Sequence, residues 1–94
     1  MSRPFDQALR DGRRDQRFPV SFAADLFAGR GKQTVTVRDL SRNGALLSGL
    51  TLPAEGTRVL VALGDAKLFG KVMWKHDCYC GLALVQPIEP LQVV

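Results

Sequence analysis

From Arg17 onward, short apolar or alternating runs are separated by turn-forming residues. Phe18–Phe27 is the first run, holding apolar residues and one interior acid, Asp25. Ala28-Gly29-Arg30-Gly31 follows as a turn signal. Thr34–Arg38 is β-branched and alternating, as a half-buried strand should be. Asp39–Gly44 interrupts it, and Ala45–Leu47 is a short apolar run. Leu52–Gly56 reads as a loop, Arg58–Leu63 as a strand, and Gly64-Asp65-Ala66 as a turn. Leu68–Trp74 and Cys80–Val85 complete the set. Short strands at this spacing predict an all-β fold, a six-stranded antiparallel β-barrel.

The ends lack that pattern. Residues 1–12 form an N-terminal arm with at most a short, poorly capped helix around Pro4 to Arg10. Pro87 and Pro90 stop any regular continuation, so 87–94 is expected to be a short tail. The 94 residues, 46% hydrophobic and 23% charged, suit one small globular domain spanning 13–86. No apolar run approaches the roughly 20 residues that cross a bilayer, and no secretion signal opens the chain. A cytoplasmic protein without membrane insertion is expected.

The formal charge of +4, from 13 Lys and Arg against 9 Asp and Glu, favours an anionic partner. Its placement is more informative. Arg3, Arg10, Arg13, Arg14 and Arg17 lie within the first 17 residues, where every basic residue is Arg. Arg presents a planar fork of donors that matches phosphate and the guanine Hoogsteen edge, whereas Lys is a point charge. Asp6, Asp11 and Asp15 are interspersed, unlike a simple polybasic tail, although a solvated arm is the bland reading. A second polar cluster is Asp39-Leu40-Ser41-Arg42-Asn43-Gly44. A hairpin between the clusters would bring them to one end of a sheet. Guanidiniums, a carboxylate, a hydroxyl and a Gly-bearing turn suit a compact, doubly charged anion that carries a base.

The two clusters read R-x-x-x-R (Arg13 to Arg17) and D-x-S-x-x-G (Asp39, Ser41, Gly44), in that order and with one hairpin between them. The pair resembles the PilZ domain, a bacterial receptor module for the second messenger cyclic di-GMP. Arg17-Phe18-Pro19-Val20 resembles the family's lead-in to its first strand, and the likeness covers roughly residues 13–86. It implies a PilZ-type barrel with a flexible Arg-rich arm that reorganises around the ligand. It also implies a non-enzymatic receptor in bacterial second-messenger signalling, with a downstream effector protein and no further cofactor. Many members carry a C-terminal helix, which Pro87 and Pro90 argue against here.

On that resemblance the ligand-binding residues are Arg13, Arg14, Arg17, Asp39, Ser41 and Gly44. Arg13 and Arg17 would grip phosphates and the guanine O6/N7 edge, or stack on the purine, with Arg14 an extra phosphate contact. Arg10 and Arg14 offer a second R-x-x-x-R register; Arg17 leads directly into Phe18, which favours Arg13 and Arg17. Asp39 would accept hydrogen bonds from guanine N1–H and N2–H₂, a donor pair that adenine lacks. Ser41 would bond base or phosphate, and Gly44 would allow a backbone angle or a close approach that a β-carbon blocks. Asp39 and Ser41 also fit a plain Asx or Ser/Thr turn between strands. Arg42 and Asn43, inside the motif, are expected to be exposed.

His76-Asp77-Cys78-Tyr79-Cys80 also draws the eye. On one extended strand, His76, Cys78 and Cys80 would share a face, but three ligands fall short of a structural zinc site. The cysteines read as reduced packing residues, and Phe69, Trp74 and Tyr79 as barrel core or rim rather than a stacking platform. No catalytic motif accompanies the single His. Two alternatives stand: a small nucleic-acid-binding barrel, disfavoured because the strands offer no evident exposed aromatics for base stacking, and a PilZ-like protein-interaction module without ligand.

Overall fold

The computed structural model describes residues 16–93. Six strands follow one another: β1 (Phe18–Ala28), β2 (Gly31–Leu40), β3 (Gly44–Ser48), β4 (Arg58–Leu63), β5 (Ala66–His76) and β6 (Tyr79–Leu84). They close into an antiparallel barrel in the order β1-β2-β3-β6-β5-β4. Closure pairs β1 with β4 through Asp25↔Ala62, Leu26↔Val61 and Phe27↔Leu60 and leaves no open sheet edge. One helical turn, α1 (Pro90–Val93), follows.

The expected all-β architecture is therefore present, with strands longer at several ends than the local pattern indicates. Asp39 and Leu40 belong to β2 rather than to the interruption, because Leu40 is fully buried and pairs with both Phe18 and Ala45. The tail is also not wholly irregular. Proline is tolerated in the first turn of a helix, and buried Pro90 opens α1. Ile88 and Val93 then pack against the core. The expected N-terminal arm, its helix, and Arg10, Arg13 and Arg14 lie outside the described residues.

Period-two alternation points one side of each strand inward. Ala24 and Leu26, Val35 and Val37, Ala45 and Leu47, Val59 and Val61, Leu68 and Val72, and Cys80 and Leu82 build the core. Leu52, from the loop before β4, joins them. Truncating a fully buried residue such as Leu47 should cost about 2–5 kcal/mol, because the barrel wall cannot collapse into the void.

Two breaks in that alternation matter most. On β2, Val37 pairs with Leu47 but Asp39 pairs with Leu46, so Arg38 is an extra residue. On β5, Val72 pairs with Leu82 but Trp74 pairs with Gly81, so Met73 is extra. Such bulges re-aim the side chains beyond them. Unbroken alternation from Val35 and Val37 would turn Asp39 into the core, and from Val72 would do the same to Trp74. The bulges turn both outward and return Leu40 to the interior.

Candidate ligand-binding site

The β1–β2 hairpin joins the two polar clusters. Phe18↔Leu40 and Pro19↔Asp39 pair at its open end, which sets Arg17 beside the end of β2. Arg17 Nε lies 3.6 Å from Asp39 Oδ2, an ion pair too long for a strong hydrogen bond. The Arg17 side chain is half exposed, so the pair is screened and contributes little to stability. Burial pushes the Asp39 carboxyl above the ordinary aspartate range, and the Arg17 charge opposes that without cancelling it. Among the described residues, Arg17 is the donor group set beside this carboxylate, and its contact is long.

Asp39 to Gly44 makes a tight corner between β2 and β3. Ser41 N–H donates to the Gly44 carbonyl at 2.9 Å, and Ser41 Oγ faces the same oxygen at 3.4 Å. Ser41 is buried, so the turn reading of this residue has direct geometric support. Arg42 and Asn43 are exposed, as expected. Their carbonyls accept hydrogen bonds from Ile88 N–H at 2.8 Å and Leu84 N–H at 2.9 Å, which tie the corner to the end of β6 and the segment after it. Gly44 has no left-handed backbone angle. What it needs is space: a β-carbon there would sit 2.9 Å from the Leu82 carbonyl oxygen of β6.

Arg17, Asp39, Ser41 and Gly44 line one depression of about 180 Å³. The structure therefore brings together four of the six expected site residues; Arg13 and Arg14 lie outside the described residues. The same depression contains Trp74 and Gly81, which sequence reasoning missed. Trp74 is 44% exposed and lies over Gly81 across the β5–β6 hairpin. A β-carbon on Gly81 would overlap the indole Nε1 and come within 2.6 Å of Cε2. Gly81 is thus the seat of the ring. The available signal was the run Val72-Met73-Trp74, three consecutive apolar residues that break a period of two.

Other expectations change here. Phe22, Phe27, Phe69, Trp74 and Tyr79 are all exposed, so the strands do present aromatics; the contrary reading is wrong because the outer barrel wall is partly apolar. The face of Phe27 is taken by Lys32, whose ammonium stands 5.9 Å from the ring centre. His76, Cys78 and Cys80 do not share one strand. Asp77, at φ 55°, turns the chain between His76 and Tyr79, which pair across the hairpin. Cys80 is a buried core thiol, pushed up in pKa by burial against a smaller opposing effect of Lys75. Cys78 is exposed, which corrects the packing role expected of it. Among the described residues no group of His, Cys, Asp and Glu could hold a metal ion.

The sequence profile of the PilZ domain matches residues 11–93, from the Arg cluster through the closing helical turn. The chain belongs to the PilZ domain family. PilZ domains are ligand-binding effector domains, generally for cyclic di-GMP. The closed six-stranded barrel agrees with that membership. No curated protein matches the chain. No helix among the described residues is long and apolar enough to cross a membrane.

Proposed function

We propose that this PilZ domain is a non-enzymatic cytoplasmic receptor for cyclic di-GMP. The observation that carries the reading is the convergence of Arg17, Asp39 and Trp74 on one depression that also contains the motif corner. A guanidinium, a carboxylate and an exposed indole are what a guanine nucleotide needs. Arg17 takes a phosphate or the O6/N7 edge. Asp39 accepts N1–H and N2–H₂, exchanging its long contact with Arg17 for two donors. Trp74 offers a face on which a base stacks. Ser41 and Gly44 act first by shaping the corner, and Ser41 Oγ turns to the ligand only by giving up its 3.4 Å contact.

A volume of about 180 Å³ is below the roughly 300–1,000 Å³ of a site that encloses a drug-sized ligand. It seats one base. The remainder of the dinucleotide lies over the surface, where Arg13 and Arg14 supply further phosphate contacts. Ordering of the arm around the ligand then alters the surface that a downstream effector reads.

Parallel calorimetric titrations with cyclic di-GMP and cyclic di-AMP test this reading. Cyclic di-GMP is expected to bind far more tightly, because adenine leaves Asp39 without its donor pair. Its affinity should also fall on acidification. Asp39 must be ionised to accept two N–H groups, and its raised pKa means that protonation sets in above the range of an ordinary aspartate. Equal affinity for the two dinucleotides at neutral or alkaline pH, where Asp39 is ionised, would remove Asp39 as the base reader.

A further inference from the structure

A second, larger concavity of about 790 Å³ lies elsewhere on the barrel wall, between the outer faces of β4, β5 and β6 and the segment that leaves β6. It uses other residues of β5 and β6 than the depression around Trp74 does. Lys67, Phe69 and Lys71 alternate along β5 and so face the same way, outward. Opposite them on β4, Arg58 pairs with Lys71 and Leu60 with Phe69. The result is an aromatic ring framed by three cations. Phe69 is 56% exposed, and Val85, which continues the ladder by donating to the Phe69 carbonyl at 2.8 Å, is 71% exposed. Pro87 and Ile88 supply the far wall.

The charge on this groove is one-sided. Arg58, Lys67 and Lys71 are its charged lining residues, and no acid lines it. None of the three forms an ion pair among the described residues. Like charges placed directly across a ladder, as Arg58 and Lys71 are, destabilise a sheet. A ligand that brings carboxylates relieves that repulsion, and one that also brings apolar side chains covers Phe69 and Val85. We propose that this groove docks an acidic, amphipathic segment of a partner protein. Carboxylates alternating with Leu or Phe pair with the cation frame while the apolar side chains fill the trough. Nucleic acid fits less well. The walls Leu84, Val85, Pro87 and Ile88 offer apolar surface rather than N–H donors for a phosphate backbone. The proposal does not depend on cyclic di-GMP as the ligand of the other site.

Selection of a displayed random-peptide library on the folded protein tests it. Enriched peptides should combine Asp or Glu with Leu or Phe. Their affinity, read by fluorescence anisotropy, should drop about tenfold or more in the double variant Lys67→Glu, Lys71→Glu and also in Phe69→Ser. Both variants alter exposed positions, and a cooperative melting transition confirms their fold, raised in the charge-reversed variant where Glu faces Arg58. Arg17→Ala should bind the peptides as the native protein does. Failure to enrich, enrichment of peptides without acids, full affinity in the charge-reversed variant, or displacement of the peptide by a single-stranded oligonucleotide would each overturn the proposal.

Discussion

Replacing Arg17 with alanine is expected to weaken cyclic di-GMP binding by roughly 10- to 150-fold. The guanidinium supplies charge-assisted hydrogen bonds to phosphate or guanine, worth about 1.5–3 kcal/mol. Its stabilising effect on the free protein is small, because its 3.6 Å contact with Asp39 is half exposed and screened. Calorimetry should therefore show a large loss of affinity beside a nearly unchanged melting temperature. Arg10→Ala serves as the control for register. If Arg10→Ala abolishes binding and Arg17→Ala does not, the motif lies three residues earlier, at Arg10 and Arg14, and the position of Arg17 beside β2 is incidental.

The second large effect concerns a residue with no side chain. Gly81→Ala puts a methyl group where the Trp74 indole rests. The ring is partly exposed and has room to swing outward, so the fold should lose only about 1 kcal/mol, a shift of roughly 4–8 °C. The site loses its stacking face. Since base–aromatic stacking is worth about 1–3 kcal/mol, cyclic di-GMP affinity should fall by roughly 5- to 150-fold, close to the effect of Trp74→Ala. Native affinity in Gly81→Ala, measured by calorimetry beside its melting curve, would show that the ligand does not use the indole where Gly81 seats it.

Much of the barrel was legible because alternation fixes which side of a strand is inside. Val35 and Val37 on β2 and Val59 and Val61 on β4 follow that rule and are buried. The juxtaposition of Arg17 with Asp39 was legible for a related reason: one hairpin separates them, and a hairpin returns its second strand beside the start of its first. The places where the reading failed are places where the period breaks. Arg38 and Met73 are bulge residues, and a bulge is a property of two paired strands rather than of one. Trp74 therefore read as barrel core or rim rather than as a stacking face. Its partnership with Gly81 requires the β5–β6 register, which the bulge at Met73 shifts. Cys78 was misplaced because Asp77 adopts a left-handed turn conformation that an extended reading of His76–Cys80 overlooks. The exposed Phe69 gave no sign of its role, since an aromatic on a strand is equally at home on either side.

Trp74 is the single tryptophan of the chain, so its fluorescence reports on the site without any label. Titration of the native protein with cyclic di-GMP, with excitation selective for the indole, tests most directly whether a guanine base seats between Arg17, Asp39 and Trp74. A saturable change in emission is expected, with a midpoint that matches calorimetry and with no comparable change for cyclic di-AMP. Emission that stays constant through the titration would contradict the assignment of this depression as the cyclic di-GMP site.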